Sequence, residues 1–332
     1  MIDLPMLWAG LIAFAVAMYV IMDGFDLGIG ILFPRFRVGG ERDSAMNAIA
    51  PVWDGNETWL VLGGGGLMAA FPLAYAIVLP ALYTPLIAML LGLVLRGVAF
   101  EFRWRLPQHR PTWDIAFCVG SSVAALAQGV TLGALLQGIA VTGRAYSGGW
   151  WDWLTPFSLL TGVSLMIGYA LLGATWLIWK TEGALHDDAR RFARFLAPAM
   201  VIALAAVSGA TPFLEGQYWQ RWFEWPGLAV TVPMPLLVAG TAALLWRAIA
   251  KGKDAAPFGW TLALFGLSLA GLAISIWPDV IPGRVSIWQA ASPPESLAFM
   301  AIGALIMVPI ILAYTGWAYW VFRGKVTEGG YH

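Results

Sequence analysis

The chain has 332 residues, of which 60% are hydrophobic and only 11% charged, with a formal net charge of zero. A soluble domain is about a quarter charged, so the composition excludes an ordinary soluble fold and points to an all-α integral membrane protein, one polytopic domain over residues 1–332. The neutral sum says nothing about nucleic acid or acidic partners, because the distribution of charge matters more than its total, and a membrane-embedded chain is expected to bind lipid and no nucleic acid. The one cysteine, Cys118, excludes a disulfide framework or a thiolate metal site built from this chain alone.

Apolar stretches of about 20 residues are long enough to span a bilayer. Nine such stretches are legible, at roughly 5–33, 46–70, 73–99, 113–142, 154–179, 193–213, 228–248, 258–277 and 295–322. No basic region precedes the first and no small-residue cleavage site follows it, so it is expected to stay as a helix. Many of the nineteen tryptophans fall at span ends, where aromatic belts meet the headgroups. With nine spans, all of the nineteen Lys and Arg residues except Arg144, Arg221 and Arg284 lie on one side. Basic loops are cytoplasmic, which orients the N-terminus to the periplasm and the C-terminus to the cytoplasm. Prolines inside spans (Pro51, Pro80, Pro85, Pro233, Pro235 and Pro309) are expected to kink helices.

Buried polar chemistry concentrates in the first three spans. Asp23 and Asp26 share one face of the first, with Tyr19 one turn earlier. Asp54 and Glu57 are again three residues apart in the second, with Asn47 and Thr58 extending the stripe. At ~1.5 Å per residue, Asp54 is expected on the order of 10 Å beyond the start of its helix. Arg96 and Glu101 close the third span on the same side. A carboxylate at membrane depth costs roughly 3 kcal/mol or more. Two readings follow. Either Arg96, helix ends and hydrogen bonds satisfy these acids and they fix packing, or they hold and release protons as a relay.

The glycines Gly24, Gly28 and Gly30, and the run Gly63 to Gly66, are expected to allow close helix approach. The three histidines, His109, His186 and His332, fall in loops or the tail, whereas a membrane haem protein usually ligates iron from within its bundle. Methionine is abundant but reads as core filling. No Walker loop, HExxH motif or nucleophile elbow is present, so the isolated chain is expected to be non-catalytic, with no metal ligands. A proton-coupled secondary transporter using the acidic ladder is the alternative. Against it, transporters place polar sites near the midplane in both halves, whereas here membrane-embedded charge is confined to the first three spans.

Asp23-Gly24-Phe25-Asp26-Leu27-Gly28, then Ala50-Pro51-Val52-Trp53-Asp54-Gly55-Asn56 and Leu95-Arg96-Gly97-Val98-Ala99-Phe100-Glu101, resemble subunit II of the cytochrome bd-type quinol oxidases. The similarity continues through Leu136-Gln137-Gly138, Trp277-Pro278-Asp279-Val280-Ile281-Pro282, Ser286-Ile287-Trp288 and Val308-Pro309-Ile310-Ile311-Leu312-Ala313-Tyr314. It covers essentially the whole chain, and the compact length resembles the cyanide-insensitive branch. The resemblance implies nine transmembrane helices arranged as two four-helix bundles plus one peripheral helix, in the bacterial inner membrane. It implies a heterodimer with a subunit I that carries two haems b and one haem d, oxidises quinol and reduces oxygen to water with cytoplasmic protons, as part of the respiratory electron-transport chain. A small accessory subunit is compatible with that assembly. Subunit II of the family ligates no haem. The resemblance also implies a proton route through Asp23 or Asp26 and Asp54, an oxygen path near Trp59, and in some members a structural quinone near Trp53. Many relatives have Asp after the tryptophan at 288, where this chain has Gln289, so a role resting on a carboxylate there does not transfer.

Overall fold

The computed structural model describes residues 3–214 and 216–326. α1 (Leu4–Leu32) starts where the Asp3 carboxylate accepts from the Met6 amide, with Pro5 in the first turn, and ends in a short 3₁₀ turn over Phe33–Arg35. The stretch expected to be one helix over 46–70 is broken. α2 (Gly40–Asn47) ends, the chain turns through residues 48–52, and α3 (Trp53–Ala70) begins. Pro51 sits in that turn and has no N–H with which to continue the ladder of α2. α4 (Pro72–Ala81) then leaves α3 at 119°, and Leu82 separates it from α5 (Tyr83–Arg105). The expected span at 73–99 is therefore two helices broken at Leu82, with Pro72 in the first turn of α4.

After a 3₁₀ turn over Pro107–His109, α6 (Arg110–Leu136) stops short of the expected 142. Gly138 takes a φ of 87°, and the chain continues into the hairpin of β1 (Val141–Thr142) and β2 (Ala145–Tyr146). α7 (Pro156–Lys180) opens with a Thr155/Ser158 capping box. α8 (Gly183–Ala210) starts well before 193, because its first turns are polar and stand outside the apolar stretch. Two short helices follow, α9 (Gly216–Phe223) and α10 (Leu228–Thr231), the latter separated at Val232 from α11 (Pro233–Ala250). α12 (Ala255–Ile276), the paired strands β3 (Asp279–Ile281) and β4 (Val285–Ser286), α13 (Ile287–Ala290) and α14 (Pro294–Val321) complete the chain. Gln289 closes the capping box that starts α13 with Ser286. Among the described residues eight helices are long and apolar enough to cross a membrane, nine if the bent α3–α4 pair counts as one span.

α1 packs against α3, α6 and α7; α5 packs on α6; and α7, α8, α11 and α12 contact one another in a closed ring. α14 lies against α1 and α3. Helices in lipid associate by close packing rather than by the hydrophobic effect, so small residues sit at the crossings. At the tightest, a Cβ on Gly28 would stand 1.8 Å from the Tyr169 carbonyl oxygen, with Gly173 facing Gly28 from α7. In the run Gly63 to Gly66, only Gly63 and Gly66 face α1, through Val16 and Ile12, while Gly64 and Gly65 meet nothing. The expectation that the whole run serves helix approach holds for half of it.

Beyond α14 the segment from Phe322 to Val326 forms a strap across the Arg-rich end of α7. Lys180 Nζ donates to the Phe322 carbonyl at 2.5 Å, and the Val326 amide donates to the Lys180 carbonyl at 2.8 Å. Lys325 Nζ reaches Asp254 Oδ2 at 2.9 Å and Glu182 Oε1 at 3.6 Å. The Lys325 hydrogen bond holds the Asp254 carboxyl below its usual 3.8, and the same bond holds the Lys325 ammonium above its usual 10.5.

Two predictions follow from the packing and the strap. Gly28→Ala should lower the stability of the solubilised protein by ~1–3 kcal/mol through overpacking, while Gly10→Ala, which meets nothing within 4 Å, should leave its thermal midpoint unchanged. The strap should be fully tethered between pH 3.8 and 10.5. The depressed Asp254 loses its contribution as pH falls through its folded value, and the raised Lys325 loses its own as pH rises through its folded value. Protease sensitivity of the strap should rise at both extremes and be flat between them.

Candidate functional site

Arg96 of α5 reaches between α1 and α3 and is 2% exposed. Its Nη1 donates to Asp23 Oδ1 at 2.6 Å and its Nη2 donates to Glu57 Oε1. Asp26, one turn along from Asp23, has no cation partner among the described residues. Its Oδ2 accepts from Asn56 Nδ2 at 2.8 Å, and Oδ1 has no partner among the described residues. Asn56 Oδ1 accepts in turn from the Tyr319 hydroxyl at 2.9 Å, which ties α14 to α3 and α1. Above Asp23, Gln128 Nε2 donates to the Tyr19 oxygen at 2.7 Å and the Tyr169 hydroxyl donates to Gln128 Oε1 at 2.8 Å. Neighbouring polar sets thus join α1 to α3, α5 and α14, and α6 to α7, with Asp23 and Asp26 both fully buried.

The structure brings together Asp23, Asp26, Glu57 and Arg96 of the residues singled out in the sequence. The others lie elsewhere. The buried face of α3 is Asn56, Trp59, Gly63, Gly66 and Ala70, so Asp54 and Thr58 point outward. Both are exposed, in the first turns of α3 rather than 10 Å inside a helix. Asn47 is buried at the end of α2, on a different helix from Glu57, and its Oδ1 has no partner among the described residues. Glu101 is exposed and pairs with Arg105 at 3.6 Å rather than with Arg96. Trp53 is half-buried with its ring 5.0 Å from that of Phe100. Trp59 is buried, edge-on to Phe14 at 5.7 Å.

Tyr319, Gln128 and Tyr169 were not singled out in the sequence, and Asn56 stood there only as part of a motif, without a role in the site. For Asn56 a signal existed, since it shares helical phase with Gly63 and Gly66. A second buried cluster at the Arg-rich end also went unread. Arg103 Nε donates to Asp114 Oδ1 at 2.5 Å and its Nη1 to Asp43 Oδ1 at 2.7 Å, while Arg42 Nη1 donates to Asp114 Oδ2 at 2.7 Å. The Phe33 ring lies 5.5 Å from the Arg42 guanidinium and 5.6 Å from that of Arg103. This cluster clamps α2, α5 and α6 together at the Arg-rich end. Among the described residues no three His, Cys, Asp or Glu side chains come together as a metal site. His109 and His186 lie at the Arg-rich end, outside the apolar core, and His332 lies outside the described residues.

The family model for cytochrome bd terminal oxidase subunit II matches residues 4–322. The chain belongs to this family. It is 32% identical to the cytochrome bd-I ubiquinol oxidase subunit 2 of Escherichia coli strain K12, over 98% of this chain and 96% of that one. It is 30% identical to the cytochrome bd ubiquinol oxidase subunit 2 of Bacillus subtilis strain 168, over 99% and 98% respectively. Its fold matches a chain in the structure of bd oxidase from Geobacillus thermodenitrificans with a TM-score of 0.77 at 14% identity, covering 98% of this chain and 100% of that one. The subunit II family therefore supplies the frame for the Asp–Arg–Glu cluster, and the transporter reading is not favoured.

Removing Arg96 leaves Asp23 buried, and Glu57 half-buried, without their cation, and breaking a buried pair costs about 3–5 kcal/mol. Arg96→Leu should sharply lower the thermal midpoint and yield of the solubilised protein. Arg105→Leu, at the exposed pair with Glu101, should change them little, as expected for a pair worth at most about 1 kcal/mol.

Proposed function

We propose that this chain is the non-haem subunit of a quinol:oxygen oxidoreductase, scaffolding a haem-bearing subunit I and delivering protons to it from the Arg-rich side. One observation carries the reading: Asp23 and Glu57 share one guanidinium, Arg96, while the buried Asp26 one turn away meets only the Asn56 amide among the described residues. In a low-dielectric interior such a set balances its charge by holding protons, and a set that holds protons can pass them on. Asp54 and Thr58, exposed on the outer face of α3, then lie where a neighbouring subunit would receive the proton.

On this reading the Arg-rich end faces the cytoplasm, with the N-terminus periplasmic and the C-terminus cytoplasmic in a bacterial inner membrane. α7, α8, α11 and α12 form one four-helix bundle, α1, α3, α5 and α6 the other, and α14 is the peripheral helix. The haems b and d reside on the partner, where quinol is oxidised. Trp53, half-buried with its ring tilted 32° to that of Phe100, offers an aromatic contact for a structural quinone. Trp59, in an apolar pocket of Ala15, Tyr19 and Met22, borders an oxygen path.

In the assembled complex, Asp26→Asn should slow oxygen consumption and proton uptake by roughly 10²-fold, the contribution typical of a positioned proton donor or acceptor, with haem content unchanged. Asp54→Asn should also slow uptake. Unchanged turnover in Asp26→Asn would remove the relay role and leave the cluster as packing.

A further inference from the structure

A half-open cleft lies between the strap, the turn linking α2 to α3, and the end of α7. It is lined by Asn47, Val52, Trp176, Lys180, Tyr319 and Gly324, among others, and its room for water centres is about 10 Å³, on the scale of one water molecule. Three features mark it as more than a packing defect. Asn47 Oδ1 is buried there with no partner among the described residues, an acceptor that dry protein would leave unsatisfied. Lys180, 5% exposed, lines the same space with its ammonium committed to the Phe322 carbonyl and over the rings of Trp176 and Trp179. Tyr319 forms part of the wall and points its hydroxyl inward to Asn56, whose amide meets Asp26.

We propose that this cleft is the water entrance through which Asp26 exchanges protons with the Arg-rich side, with Tyr319 and Asn56 as positioning residues between the two. The proposal rests on the proton-delivery reading above and names where the route begins. Asn56 is not itself a carrier, because its amide N–H groups and carbonyl are engaged and a neutral amide does not readily give up a proton. Its Nδ2 holds Asp26 Oδ2, which leaves Oδ1 as the free accepting atom. Asp26 does not itself line the cleft, so the proposed route requires water to pass inward beside Tyr319 and Asn56. Hydronium carried along it adds its proton to Asp26 Oδ1 to give the neutral acid, leaves a water molecule behind, and the proton departs later toward the partner. Tyr319, held against Trp176 at 6.1 Å between ring centres, fixes the width of the passage. The strap roofs it through Phe322, Gly324 and Val326.

The test uses the intact complex with its haem-bearing partner, in vesicles, with Cys118→Ser and Gly324→Cys. Gly324 is exposed and a Cβ there meets nothing within 4 Å, so the thiol can be labelled with a bulky methanethiosulfonate reagent and released again by a thiol reductant. The same preparation before labelling, after labelling and after release is its own folding control, and the Cys118→Ser complex alone measures labelling of the partner. Labelling should slow proton uptake and oxygen consumption at least severalfold, leave haem reduction by quinol intact, and be reversed on release. Tyr319→Phe, which keeps the ring, should also slow uptake. If Asp26→Asn slows turnover but neither the label nor Tyr319→Phe does, the entrance is elsewhere and this inference falls while proton delivery stands. If Asp26→Asn has no effect, the delivery reading itself falls, and the entrance with it.

Discussion

A guanidinium buried where lipid surrounds the fold can be kept only if carboxylates meet it, and Arg96 is that group here. Its fork bonds α1 through Asp23 and α3 through Glu57, so three helices must hold one rotation and one depth for the charge to be satisfied. Arg96 with its two partners stabilises little beyond an apolar alternative, but breaking the set is costly. The neighbouring packing is consistent with that demand. Gly92 and Gly120 let α5 approach α6 until a Cβ on either would stand under 3 Å from the other helix's backbone. Gly63 and Gly66 do the same, less tightly, for α3 on α1.

From that fixed point polar contacts extend in both directions. Asp26 sits one turn further toward the Arg-rich end, six residues before the end of α1, about 9 Å of helix at 1.5 Å per residue. Asn56 and Tyr319 recruit α14, a helix with few other buried contacts, into the same network. The cluster of Arg42, Arg103, Asp43 and Asp114 anchors the loops just beyond, with the strap on the neighbouring corner. The polar chemistry of the chain is thus concentrated at one end of the first helices, consistent with one subunit feeding a partner rather than with a substrate site of its own.

The sequence made the spans legible because bilayer thickness sets their length, and it made Asp23, Asp26, Glu57 and Arg96 legible because charge at depth is rare. It concealed the turn through 48–52, since Pro51 lies in a run apolar enough to read as continuous helix. That one break reassigns Asp54 from a buried stripe to an exposed first turn. The phase error at Asp54 was avoidable in principle: Asn56, Trp59, Gly63, Gly66 and Ala70 recur at three and four residues, the spacing of a packed face. Tyr319 and Gln128 were not legible. They join the site across 263 and 109 residues of chain respectively, and no local pattern distinguishes them from other polar residues of their helices.

The central claim is that Asp26 changes protonation while the complex reduces oxygen. Infrared difference spectroscopy of single-turnover reactions in the assembled complex tests it directly. A protonated-carboxyl C=O band should appear and decay with the oxygen reaction, shift in heavy water and vanish in Asp26→Asn. A difference spectrum in which no carboxyl band depends on Asp26, with turnover proceeding, would contradict the account.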